Sequence, residues 1–462
     1  MGGDEGRAEK LLEDVKLRLR PSRAQESLLA RLYTRVKTIL GRCGYLNSTL
    51  SGEGFEIELV GSFAKGTILS DKWEIDIFLL MPRPREWIKS RGREILEKCL
   101  HYNLPVVFKY SEHPYATVSI MGMEADIVPA PLVESARDAE GVERTPFHTR
   151  FIRSVLERRP ELADEIRLLK SFMKGIGVYG AESRVGGFSG YLAELLVIRY
   201  GGFMEVIEEA SRWRPPVAIT VSGEDAVWDQ REGKAVSPMI FPDPVDPSRN
   251  VAAAVTERRL AEFILAAGMF REKPGRRYFH IYQGNPTYKP MPGAMITYRG
   301  RFYDAPPDAV WGRSKRIAER LYRGLRARGL PVVSYSFYTD ESSIVAIFIH
   351  TLSPNAYPLE ERVGPEAWDY RGSMRFVVKR LSEKGWVWVG DRGILYGARY
   401  RLSSFEDEVQ ALIKSLPAPE GAEGVEVRIC QSTGPCGFRE ELERMRDPTP
   451  RWLRAVLEER QS

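Results

Sequence analysis

Glu74 and Asp76 flank Ile75 in the run WEIDIFLL. In a strand, residues i and i+2 project from one face, about 6.5–7 Å apart along the chain. Two carboxylates side by side on an otherwise apolar strand repel each other unless a cation lies between them. A hard divalent ion such as Mg²⁺ takes oxygen ligands and keeps water positions open for phosphates. By itself the pair is equally compatible with an exposed edge face. Asp126, in MEADIVPA, is a third carboxylate in an apolar strand. Glu124 shares its face and rivals it as a ligand, but Ile127 and Val128 bury the surroundings of Asp126. Upstream lies VGSFAKGT, in which Gly61 and Ser62 leave a strand directly and Lys65 follows. Such a turn offers backbone N–H groups, a hydroxyl and a positive charge to phosphate oxygens. Alone it is an ordinary strand exit. Together, three carboxylates on neighbouring strands beside that turn fit two-metal phosphoryl transfer, the metals clamping attacking and leaving oxygens.

The elements that position these residues are legible from periodicity. Residues 24–40 carry Leu28, Leu29, Leu32, Val36 and Leu40 at helical spacing, closed by Gly41 and Gly44. Strands are expected at 55–60, 74–80, 106–110, 116–120 and 124–128, with a helix at 86–100. This describes a compact mixed α/β domain over residues 1–145. At Thr145-Pro146 the pattern turns helical, with Thr145 read as N-cap and Pro146 as the first helical residue. Helices are expected at 147–157, 163–174, 191–200 and 251–267, making 146–270 a mostly helical middle. FPDPVDP, residues 241–247, reads as the loop delivering the last of these. Lys170 and Lys174 are i,i+4 neighbours, either a solvated face or an anion-facing one. From 271 to 462 the pattern is mixed α/β again, with strands at 332–338, 343–351 and 386–389 and a hairpin through GDRG. The fold class is therefore α+β and multidomain.

Arg316, Arg320 and Arg323 form one face of a basic helix over 313–328, opposite Ile317, Leu321 and Leu325. A helix that tracks RNA phosphates has this pattern, as does a solvated surface helix. Tyr335, Phe337, Trp386, Trp388 and Tyr396 lie on nearby strands, and most are expected in the core rather than as stacking platforms for bases.

Composition sets the outer bounds. The 462 residues are 43% hydrophobic and 28% charged, enough for large cores and incompatible with wholesale disorder. A net charge of +5 leans toward an anionic partner. No apolar run reaches the roughly 18 residues of a membrane span, and the charged start lacks the apolar stretch of a secretory signal. The four cysteines form no CxxC pair, so neither a disulfide scaffold nor a zinc site is expected, and the chain reads as cytoplasmic. Cys430 and Cys436 would close a small loop in a hyperthermophile, where intracellular disulfides occur.

The runs GSFAKGT, EID and EADIVP resemble the nucleotidyltransferase superfamily of DNA polymerase β. The segments SEHPYATVSI, TPFHTRFI, LLKSFMKGIGVYGAESRVGGFSGYLAELLVIRYGGF and DPVDPSRNVAAAV are similar to those of archaeal CCA-adding tRNA nucleotidyltransferases. The resemblance runs through residues 20–270 and more weakly to the C-terminus. It implies a polymerase β-like head, a helical neck that binds nucleotide, and a body and tail that bind the acceptor stem and T arm of tRNA. Untemplated addition of C, C and A from CTP and ATP is the implied reaction, with two Mg²⁺ ions and the possibility of a homodimer. By position, Glu74, Asp76 and Asp126 would hold metal, and Asp126 would accept the primer 3′-hydroxyl proton. Ser62, Lys65, Lys170 and Tyr179 would touch the triphosphate; Lys65 replaces an Arg common in relatives, giving a point charge rather than a fork. His148 would contact the nucleotide, with His113 a weaker candidate. Arg249, at the expected start of the last neck helix, would read the base, because cytosine and adenine share an amino donor beside a ring-nitrogen acceptor. An open-ended poly(A)-type polymerase shares the head but not the neck segments, and an inactive RNA-binding relative would be expected to lack a carboxylate.

Overall fold

Leu29, Leu32, Val36 and Leu40 are buried in a helix whose N-terminus is capped by Ser22, which accepts from the Gln25 N–H. The cap and the one-sided apolar stripe explain why this segment is helical and which face it buries. A computed structural model describes residues 2–101, 103–110, 114–223, 237–401, 403–437 and 439–461. His113 lies outside the described residues. The chain forms two units, Met1–Pro286 with Arg451–Ser462, and Thr287–Pro450.

The first unit begins with α1 (Gly2–Leu19), α2 (Arg23–Gly41) and α3 (Gly44–Thr49). Strand β1 (Glu56–Val60) leads through the turn α4 (Gly61–Ala64) to β2 (Glu74–Met81), then α5 (Arg85–Leu100), β3 (Val106–Tyr110), β4 (Pro114–Ile120) and β5 (Met123–Pro131). The five strands form one sheet in the order β1-β2-β5-β4-β3. Only β2 and β5 run parallel, and their register places Glu74 beside Glu124 and Asp76 beside Asp126. Ile75, Ile77 and Leu79 alternate into a core shared with α2 and α5, as a period of two requires. Cys43 and Cys99 are joined by a disulfide in this region, a pairing not expected from the sequence.

The helices α6 (Thr145–Leu156), α7 (Leu162–Gly175), α8 (Gly190–Tyr200), α9 (Phe203–Ala210) and α10 (Glu257–Glu272) build a second core. A short parallel pair, β6 (Val217–Ala218) and β7 (Met239–Ile240), borders it. Thr145 is already helical, with Arg144 as N-cap and Pro146 in the first turn. The expected helix from 251 begins instead at Glu257. Thr256 caps it by accepting from the Arg259 N–H, and residues 250–255 are turns tied back to Phe241. Leu12, Val15 and Leu19 of α1, Tyr278 and Phe279, and Trp452 and Val456 of the last helix also bury themselves in this core. Residues 271–286 and 451–462 therefore pack with the helical middle, not with the rest of 271–462.

In the second unit β8 (Gly293–Gly300), α11 (Pro307–Ala327), β9 (Val332–Thr339), β10 (Ile344–Thr351) and β11 (Leu359–Glu366) are followed by α12 (Tyr370–Ser382) and β12 (Trp386–Val389). Then come β13 (Ile394–Tyr400), α13 (Phe405–Ser415), β14 (Ala422–Cys430) and α14 (Glu440–Arg444); α15 (Arg451–Gln461) closes the chain in the first unit. A four-stranded sheet β14-β8-β10-β9 carries α11 and α13 on one face, and β10 is buried on both faces. Cys430 and Cys436 are disulfide-bonded beside it.

A three-stranded sheet β11-β13-β12 contains the expected hairpin. Tyr335 and Phe337 pack on the larger core, but Trp386 and Trp388 are 53% and 45% exposed. The reason is topological. Helix α12 covers the face of Gly397, the register partner of Val387, and the opposite face carries Trp386 and Trp388, which stay about half exposed. There Trp388 stacks on Tyr396 and Trp386 meets Tyr400 edge-on.

Candidate active site

Asp76 and Asp126 are adjacent on parallel strands, and the backbone of Gly61 closes over Asp76. Gly61 has φ +73°, and a Cβ there would sit 1.9 Å from Asp76 Oδ2, so only glycine fits both the backbone and the space. Thr117, opposite Asp126 on β4, donates to Asp126 Oδ1 at 2.6 Å and fixes its orientation. The Asp76 carboxyl is pushed up to about 6 by burial, then by the charges of Asp126 and Glu74, against weaker pulls from Lys65 and Lys72. That is an all-oxygen site short of positive charge, as a hard divalent cation requires. Glu74 shares the strand face but is half exposed and accepts from Lys72 at 2.7 Å. Among the described residues no three His, Cys, Asp or Glu side chains are gathered into a closed cluster. The site is an open pair of aspartates with Glu74 at its rim.

Ser62 carries its hydroxyl on the first turn after β1 and makes no side-chain hydrogen bond among the described residues, while its carbonyl accepts from the Thr67 N–H at 2.9 Å. Arg167, on α7, donates to the carbonyls of Ile68 and Gly66 and so pins the far side of this loop.

Lys65 and Lys170 converge on one residue the sequence analysis passed over, Glu194 of α8. Lys65 Nζ lies 2.6 Å from Glu194 Oε2, Lys170 Nζ 2.7 Å from Oε1, and Thr67 Oγ1 donates to Oε1 at 2.7 Å. Glu194 is fully buried. Burial raises its pKa, but Lys170 and Lys65 outweigh that and hold it at about 2. Burial, with the like charge of Lys65, moves Lys170 down to about 8 against the attraction of Glu194. Lys170 also donates to the Thr67 hydroxyl at 3.0 Å and is almost wholly enclosed, whereas Lys65 is slightly nearer the surface. Tyr179 reaches the same cluster because Gly190 leaves room: a Cβ there would lie 2.7 Å from the Tyr179 hydroxyl. Lys174 instead pairs with Asp71 at 2.6 Å.

His148 and Arg249 converge on a second overlooked residue, Asp243. His148 Nε2 lies 2.7 Å and Arg249 Nη1 3.2 Å from Asp243 Oδ2. The His148 ring stacks on Tyr191 at 3.9 Å, and Lys65 Nζ lies 5.9 Å from the centre of the same Tyr191 ring. Tyr191 thus links the two buried carboxylate clusters. Arg249 is on a loop, not a helix start, and its direction comes from Asp243. One sequence signal for Glu194 exists, a lone acid inside the apolar run YLAELLVI; Asp243 lay in a stretch read only as a loop.

In the second unit, Arg316, Arg320 and Arg323 are all exposed on α11 and form no ion pair among the described residues, while Ile317, Leu321 and Leu325 are buried. Arg313 and Arg328 are paired, with Glu420 and Glu408.

A sheet with this carboxylate pair, entered through a Gly-Ser turn and backed by a helical domain, defines a nucleotidyltransferase. Residues 45–162 match the nucleotidyltransferase domain family, and residues 164–280 match the second domain of tRNA nucleotidyltransferases. The CCA-adding enzyme of Aeropyrum pernix is 54% identical over 97% of both chains. The CCA-adding enzyme of Sulfurisphaera tokodaii is 35% identical over 86% of this chain and 90% of its own, and that of Saccharolobus solfataricus 38% over 75% and 80%. The chain belongs to the archaeal CCA-adding nucleotidyltransferases. A structure of the Cid1 poly(U) polymerase superposes with a TM-score of 0.46 and 14% identity, over 58% of this chain and 95% of that one. No described helix is long and apolar enough to cross a membrane.

Proposed function

We propose that the protein builds or repairs the 3′-terminal CCA of tRNA in the cytoplasm, transferring CMP, CMP and AMP from CTP and ATP without a template and releasing pyrophosphate. The observation that supports this reading most is the aspartate pair under Gly61, at the mouth of the loop carrying Ser62 and Lys65. Asp76 and Asp126, with Glu74 at the rim, are the residues to hold Mg²⁺. When bound, Mg²⁺ neutralises phosphate charge and favours ionisation of the primer hydroxyl. Asp126, oriented by Thr117, takes the proton of the tRNA 3′-hydroxyl as its oxygen bonds to the α-phosphorus and the bond to pyrophosphate breaks. Ser62 and Lys65 meet the triphosphate from the loop. Lys170 and Tyr179 stand behind Lys65, so the phosphate-binding charge is set by a cluster of two lysines and one glutamate. His148 and Arg249 face the nucleoside. In this reading residues 1–145 are the head, 146–286 with 451–461 the neck, and 287–450 the body and tail that hold the acceptor stem and T arm, with Arg316, Arg320 and Arg323 on phosphates.

The test supplies Mg²⁺, tRNA lacking CCA, each nucleoside triphosphate separately, and then CTP with ATP. Growth by three nucleotides that then stops is expected; open-ended growth overturns the reading. Asp76→Ala and Asp126→Ala are each expected to abolish addition while tRNA affinity stays within a few-fold, and turnover by either at saturating Mg²⁺ removes that residue from the site.

A further inference from the structure

We infer that Asp243 is the positioning residue for base selection, holding Arg249 and His148 as one unit facing the nucleotide. The inference rests on the reading of Arg249 as the group that contacts the base. Asp243 is completely buried, yet its carboxylate receives four donors. Oδ1 accepts from the Tyr191 hydroxyl and the Val245 N–H, both at 3.1 Å. Oδ2 accepts from Arg249 Nη1 and faces His148 Nε2. These donors come from α6, α8 and the loop 243–249, three separate stretches of chain. Its backbone closes the same loop, with the Asp243 N–H donating to the Arg249 carbonyl at 2.9 Å. Among the described residues, no other side chain is hydrogen-bonded to both His148 and Arg249.

A carboxylate only accepts, so His148 turns Nε2–H toward it. Burial, joined by the positive charges of Arg249 and Lys65, lowers the His148 pKa against the pull of Asp243. The ring is therefore neutral near pH 7 and keeps Nδ1 as an acceptor for the nucleotide. Arg249 is 41% exposed, in contrast to its partner. One nitrogen of its planar fork is anchored, and the remaining N–H groups point where the anchor directs them. Guanidinium direction is what lets a donor-only group favour the ring-nitrogen acceptor of cytosine or adenine over the ring N–H of uracil or guanine. Loss of the anchor leaves the charge in place and removes its direction.

The experiment measures kcat/KM for CTP, ATP, UTP and GTP on tRNA lacking CCA, with inhibition by pyrophosphate as a separate readout of the triphosphate site. Asp243→Asn in the full chain is expected to lower CTP and ATP use about 10- to 100-fold, the worth of one oriented base contact. UTP and GTP use and pyrophosphate inhibition should hold, so discrimination narrows by the same factor. Combined with Arg249→Ala, it should narrow discrimination no further than the larger single effect, because the two act as one. Arg249→Lys provides the second variant, since a point charge cannot serve Asp243 and base at once; it too should narrow discrimination. Wild-type discrimination in Arg249→Lys, or an equal loss for all four nucleotides in Asp243→Asn, overturns the inference. If Arg249→Ala narrows discrimination and Asp243→Asn does not, the inference fails while the base-reading role of Arg249 stands. If Arg249→Ala lowers all four alike, the base-reading role itself fails.

Discussion

Gly61→Ala is the smallest change that separates the aspartate pair from everything around it. The added methyl carbon would lie 1.9 Å from Oδ2, 2.8 Å from Cγ and 3.2 Å from Cβ of Asp76. Rotating the carboxylate relieves only the first contact, because Cγ is also too close, so the aspartate stem or the turn must shift. Alanine at φ +73° costs a further ~1–2 kcal/mol of backbone strain. A displacement near 1 Å at a reacting centre is worth about 100-fold in rate. The expected result is a ~100-fold fall in kcat for both CMP and AMP transfer, with tRNA binding unchanged. Gly66→Ala is the matched control. Its φ is +72° and nothing lies within 4 Å of its Cβ, so it carries the backbone cost without touching a carboxylate. Single-turnover addition to tRNA lacking CCA, alongside thermal unfolding of both variants, measures rate and strain separately. Near-wild-type turnover by Gly61→Ala, or equal losses in Gly61→Ala and Gly66→Ala, would refute the claim that this glycine sets the position of Asp76.

Glu194→Gln should raise KM for CTP and ATP by the same factor and cost ~3–5 kcal/mol of stability, as removal of one partner from a buried ion pair does; Lys170→Ala should raise both KM values likewise, and an effect on one nucleotide alone contradicts a triphosphate role. Because the Glu194 pKa is depressed to about 2, its contribution to stability is complete above its ordinary 4.5 and disappears as pH falls from there toward 2, so acid unfolding in that window should flatten in Glu194→Gln. Opening the Cys43–Cys99 link, which spans 56 residues, should cost ~4 kcal/mol against ~2 for Cys430–Cys436, which spans 6, when thermal melting of Cys43→Ser and Cys430→Ser is compared. Replacing Arg316, Arg320 and Arg323 with Gln should weaken all tRNAs alike and reduce the slope of log K against log salt by roughly one per lost phosphate contact, whereas an unchanged slope returns α11 to a solvated face.

What the sequence exposed depended on how local the signal was. Strand β2 was legible because acids interrupt an apolar run at a period of two, and the same pattern exposed the candidate carboxylates that the fold brings together. Helix α11 was legible for the same reason at a period near 3.6, down to which arginines face outward. The start of α10 was misplaced because VAAAV looks helical, while the actual cap is Thr256 and the alanines are held in turns by backbone bonds to Phe241 and Gly186. Trp386 and Trp388 belong to a group of strand aromatics most of which were expected in the core; that α12 covers the face opposite theirs is a property of the assembled sheet. Cys43 and Cys99 meet only once α5 packs on α3, which no spacing rule encodes.

The buried acids show the deeper difference. Lys65, Lys170, His148 and Arg249 were singled out as groups that act on a nucleotide, without the buried acids that hold them. In the folded chain none is independent: two depend on Glu194, two on Asp243, and Tyr191 lies against both sets. A buried carboxylate that holds two basic groups fixes their geometry, but it also takes up part of the charge they present to a triphosphate. In the proposed reading the anionic substrate would therefore meet a net charge of about one from the Glu194 cluster rather than two, with position gained in exchange. For an enzyme that must accept two different bases on one triphosphate site, this division is physically economical. In the proposed reading Glu194 would fix the part of the nucleotide that CTP and ATP share and Asp243 the part in which they differ from UTP and GTP, so that the two can be perturbed separately.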